Sequence, residues 1–174
     1  MTDEEARIRS YLEAQGAKLS PAAIIEKVRA AMADIRTASE AVPTARFTER
    51  PAADEWSANE VMAHVVAAGA YFGAGITSAL DQAPPPRRMK DQGAVGAPVR
   101  AAAEWSALLT RDREALFERV LCADPLASLE RPIEHGTFGP LNWRETLLFL
   151  RLHDLDHAGQ LQKIAAALSA PRSA

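Results

Sequence analysis

The sequence predicts an all-α protein, a four-helix bundle preceded by one additional short N-terminal helix. Three observations carry this expectation. Alanine and other strong helix formers are abundant while β-branched residues are sparse and scattered. The chain has 174 residues, 48% hydrophobic and 25% charged, which suits one domain with a sizeable core and excludes wholesale disorder. Four long stretches also carry helical start and stop signals, separated by proline- and glycine-rich connections. The expected organisation is a helical extension at 1–17 and the bundle at 18–170, its four helices joined by turns and two longer loops.

The elements follow in chain order. Thr2 and Glu5 form a capping box for a short helix expected to close at Gln15-Gly16. Ser20-Pro21 opens the next, with serine as N-cap and proline at the first helical position. Its apolar residues Ile24, Ile25, Val28, Ala31, Met32 and Ile35 recur at three- and four-residue spacing, one face of a helix that fades by Val42-Pro43. Ser57 and Glu60 make a second capping box, with Trp56 and Val61 in the positions of a hydrophobic staple. That helix runs to about Leu80, where residues 82–86 (QAPPP) stop it. The stretch 82–97 reads as a long loop, and loops of that length in a compact domain are usually functional or mobile. A third long helix is expected over 98–121. Residues 123–141 contain three prolines and two glycines and cannot form one helix, though a short extended excursion near Glu134 to Phe138 fits. Asn142 with Glu145 caps the last helix, which continues to about Leu168.

Several functions are disfavoured. The formal charge is −3, and the densest basic spot is only Arg87, Arg88 and Lys90, so no nucleic-acid partner is expected. The N-terminus is acidic where a signal peptide is basic, and no apolar run approaches the roughly 20 residues that span a bilayer. No membrane association is therefore expected. Cys122 is the single cysteine, so no internal disulfide forms and a cytoplasmic location is expected. At its helix end Cys122 reads as a small buried hydrophobe, and Trp56, Trp105 and Trp143 as core or staple residues.

The histidines carry the chemistry. His153 and His157 are spaced i, i+4 on the last helix, one turn apart on one face. Phe149, Leu150, Leu161 and Ile164 share that face, so it points inward. Two readings stay open from the spacing: a shared metal ion, or two boundary histidines pairing separately with Asp154 and Asp156. The H-D-L-D-H run is close to the H-E-x-x-H helix of zincins, but aspartate is one methylene too short for the general base. No histidine or acid follows residue 157 to complete such a site. A third ligand must then come from upstream. His64 lies on the stripe of Val61, Val65, Ala68 and Phe72, which a bundle directs to its centre. His135 could reach the mouth of a site, but beside Gly136 the plainer reading leaves it facing solvent. Glu60, one turn before His64, is a candidate ligand or general base, although its capping role already explains it. Asp154, Asp156 and Gln160 are candidates to orient an imidazole N–H from outside the ligand set, with solvent-facing positions an equal explanation for the aspartates.

The segments W56-S-A-N-E-V-M-A-H64, H135-G-T-F-G-P-L-N-W-R-E145 and H153-D-L-D-H157-A-G-Q160 together resemble the DinB-like superfamily, which includes YfiT-like metalloproteins. The resemblance covers about residues 20 to 169. It implies a four-helix bundle holding one divalent metal, often zinc or nickel, on three histidines, here His64, His153 and His157. It also implies frequent homodimers. Relatives include transferases and isomerases that use mycothiol, bacillithiol or glutathione, acting on small molecules. An ion on three neutral imidazoles keeps its full charge, so it lowers the pKa of a bound water to about 7 and deprotonates a coordinated thiol. The first outcome gives a hydrolase, and the second a transferase of a low-molecular-weight thiol. A non-catalytic metal-binding or ligand-sensing bundle is the third expectation.

Overall fold

A computed structural model describes residues 2–87 and 96–169. The middle of the 82–97 loop, with Arg88 and Lys90, lies outside the described residues. Among the described residues the regular structure is helical apart from one small hairpin. Five helices, α1 (Asp3–Lys18), α2 (Pro21–Glu40), α3 (Ala58–Leu80), α4 (Ala102–Leu121) and α5 (Trp143–Ser169), accompany strands β1 (Ile133–His135) and β2 (Gly139–Leu141).

The caps form as their residue types dictate. The Thr2 hydroxyl accepts from Glu5 N–H, and the Glu5 carboxylate accepts from Thr2 N–H in return. Ser57 and Glu60 make the same reciprocal pair at α3. Ser20 accepts from Ala23 N–H with Pro21 at the first position of α2. Asn142 accepts from both Arg144 and Glu145 N–H at α5. Each such cap satisfies backbone donors that a helix start otherwise leaves orphaned.

Helix α2 lies against α4 and α5, and α3 lies against the same two. The diagonals of the bundle are therefore α2/α3 and α4/α5, and each diagonal is crossed by a long connection. The core between them contains Ile24, Val28, Ile35, Val61, Phe117 and Leu147, all fully buried. A side chain of that kind contributes about 1.5–3 kcal/mol when taken from water. Helix α1 packs on α5 and sends Leu12, 0% exposed, into the same core. It continues past the expected Gly16 stop to Lys18, and Arg9 ties it to the carbonyls of Phe138 and Pro140 in the hairpin.

Three expectations need correction. Helix α4 starts at Ala102 rather than near Pro98, because Asn59 of α3 captures the preceding backbone. Its amide donates to Pro98 O at 3.2 Å, and its oxygen accepts from Arg100 N–H at 3.1 Å and from the Trp105 indole at 2.9 Å. Cys122 is exposed, not buried, since it caps α4 after the last full turn. Helix α3, 23 residues with a window of mean hydropathy 1.3, is long and apolar enough to cross a membrane by length and composition alone. Here its buried face, with Val61, Met62, Val65 and Ile76, packs against α4 and α5.

The extended excursion is a hairpin, antiparallel from Ile133↔Leu141 to His135↔Gly139. It docks on α3 at Gly75, where an added Cβ would stand 3.0 Å from Ile133 Cγ2. The missing side chain lets the strand approach the helix, and this closes one end of a cavity over the site.

Candidate metal centre

The structure brings His64 of α3 together with His153 and His157 of α5. One ring nitrogen from each lies within 4.8 Å of the other two. The Nε2 atoms of His64 and His153 face each other at 3.1 Å. Two imidazoles on one tetrahedral zinc, with bonds of about 2.0–2.1 Å, place their nitrogens roughly 3.3 Å apart. The rings of His64 and His157 are 4.8 Å apart, and those of His153 and His157 are 4.5 Å apart. The side-chain spacing thus fits a three-imidazole cation site.

The surrounding contacts decide which nitrogen each ring offers. His157 Nδ1 donates to Gln160 Oε1 at 2.8 Å, so its Nε2 keeps a free lone pair. Burial, then the neighbouring charge of His153, pushes His157 down to about 4, so it is neutral at pH 7 and able to act as a ligand. His153 Nδ1 is buried without a hydrogen-bond partner among the described residues and stands 3.7 Å from Asp154 Oδ1. Asp154 is fully buried rather than solvent-facing. It accepts from Arg113 Nη2 of α4 at 3.1 and 3.4 Å, an ion pair across the bundle diagonal. Gly69 of α3 makes room for it, since an added Cβ there would stand 3.2 Å from the guanidinium. Asp156 is exposed. The Glu60 carboxylate is held by Arg50 and by Ser57, at the cap that its spacing indicated, and Arg50 keeps its pKa below the usual carboxylate range.

Sequence reasoning missed two neighbours, and for a third, His135, favoured solvent over the site mouth. Trp56 is more than a staple: its ring lies 5.1 Å from His64 and stacks over His157 at 6.5 Å and 15°. Arg113 carried a legible signal, an arginine on the apolar stripe of Leu109, Leu116, Phe117 and Val120. His135 does not face open solvent. It is half-buried against Phe72, Phe138 and Phe149, because β1 turns it onto α3 and α5. With His64 and His153 it lines a cavity of about 1260 Å³.

Fold and site together define a helical bundle with a histidine trio able to hold a metal ion. A family profile described as the DinB superfamily matches residues 13–161, and the chain belongs to that superfamily. Searches of curated proteins and of solved structures returned no match.

Proposed function

We propose that this protein binds one divalent transition metal, zinc or nickel, through His64, His153 and His157. It uses that centre to transfer a low-molecular-weight thiol to a small electrophile. The observation that carries the reading is the opening of the trio onto a cavity: His64 and His153 line it, beside the aromatic wall of Phe72, Phe138 and Phe149. A cation held there supplies Lewis acidity that makes a thiolate or hydroxide available at neutral pH. Gln160 fixes the tautomer of His157, Trp56 covers one side of the trio, and the aromatic wall offers the electrophile an apolar surface. Thiol transfer stands ahead of hydrolysis on the family resemblance. The reading includes a homodimer in a reducing cytoplasm, with no nucleic-acid or membrane partner, supported by the −3 charge and single cysteine.

Elemental analysis of the purified protein, followed by incubation with mycothiol, bacillithiol or glutathione and a chlorobimane, tests this. One metal per chain and turnover abolished by chelation are expected. Turnover of esters without thiol would replace the reading with a hydrolase. Silence in both assays, with unfolding on metal removal, would make the centre structural.

A further inference from the structure

His135 is constrained on almost every side. The Phe72 ring stacks on it at 5.4 Å and 18°, the Phe138 ring at 4.7 Å and 21°, and Phe149 meets it edge-on at 4.4 Å. Its Nδ1 accepts from the backbone N–H of both Thr137 and Phe138 at 3.1 Å. A nitrogen that accepts two hydrogen bonds carries no proton, so the proton sits on Nε2. That nitrogen has no partner among the described residues and is not among the buried polar atoms. The ring lines the cavity that His64 and His153 also line. A histidine with its faces covered and one nitrogen capped by backbone has a single N–H edge left to offer.

We infer that His135 binds the electrophile by donating Nε2–H to its oxygen, and that the electrophile is a planar, conjugated carbonyl compound. The occupant's being an electrophile rests on the proposed function above; the donor itself does not. An N–H donor set among phenylalanine rings suits a carbonyl oxygen carried on a flat, apolar body. The chemistry balances as a conjugate addition. The thiol sulfur bonds to the β-carbon, the alkene pair shifts to the α-carbon and oxygen, and the oxygen's growing negative charge is met by Nε2–H. The thiol proton passes to solvent, and the α-carbon takes one back.

Acetophenone and its carbon isostere isopropenylbenzene serve as probes, by calorimetry and by infrared spectra of carbonyl-labelled acetophenone, with zinc and with chelator. Wild type should favour acetophenone about tenfold and lower its carbonyl stretching frequency. In His135→Asn the side-chain oxygen can still accept from Thr137 and Phe138, but nothing replaces Nε2–H. This variant should stay folded and lose both the preference and the frequency shift. His135→Gln, whose amide N–H reaches the Nε2 position, should keep part of both. A wild type that does not distinguish the probes, or a His135→Asn that behaves as wild type, overturns the inference. Because the measurement is repeated with chelator, absence of metal binding would sink the metal reading and leave this result standing.

Discussion

Replacing Arg113 by methionine probes the deepest electrostatic commitment in the bundle. The side chains of Arg113 and Asp154 are 2% and 0% exposed, and only Nη2 of the guanidinium reaches the carboxylate. Removing the arginine leaves a carboxylate without a counter-charge, which costs about 3–5 kcal/mol. For a chain of this size that is a fall in Tm of roughly 6–20 °C. Nε and Nη1 of Arg113 already lack partners among the described residues, so the pair itself is incompletely satisfied. The double variant Arg113→Met/Asp154→Leu should therefore recover to within about 1 kcal/mol of wild type. It should not recover metal affinity. The Asp154 carboxylate stands 3.7 Å from His153 Nδ1, beyond hydrogen-bond range, but its buried negative charge beside that imidazole favours a cation on the ring, so its loss should weaken zinc binding. Urea unfolding of metal-free protein and zinc competition against a chromophoric chelator measure the two effects. A loss below about 1 kcal/mol in Arg113→Met, or a double variant that binds zinc like wild type, would refute the reasoning.

Gln160→Leu removes the acceptor that holds His157 Nδ1–H, and zinc affinity should fall at least about tenfold while the fold persists, read by the same chelator competition. Unchanged affinity would mean that ring packing alone orients His157. Acidification should destabilise the metal-free protein before carboxylates titrate. His157 and His135 are both pushed down to about 4 by burial, with the charge of His153 adding to it, against about 6.5 in the unfolded chain. Between those values the unfolded state binds protons that the folded state does not, so stability held above about pH 6.5 declines toward pH 4. A urea midpoint that stays constant from pH 7 to pH 5 would contradict the neutral, buried state of both rings.

What could be read from the chain alone was local. Capping boxes at Thr2/Glu5 and Ser57/Glu60, the Ser20-Pro21 start and the Asn142 cap depend on residues within three positions of one another, so their spacing is visible without coordinates. The inward placement of His64, His153 and His157 was legible for the same reason, because helical periodicity assigns each to an apolar stripe. The start of α4 was not legible, since Asn59, some forty residues upstream, holds the backbone at Pro98 and Arg100 extended.

Everything that depends on which stripes face each other was decided by tertiary packing. The 3.1 Å approach of His64 to His153, the stacking of Trp56 over His157, and the insertion of Arg113 past Gly69 to Asp154 join residues far apart in sequence. His135 makes the contrast plainest: its flanking residues indicated a loop in water, while docking of the hairpin at Gly75 placed it among three phenylalanines. Periodicity tells a side chain to leave solvent, but the partner it meets is set by how the helices and hairpin close around a shared core.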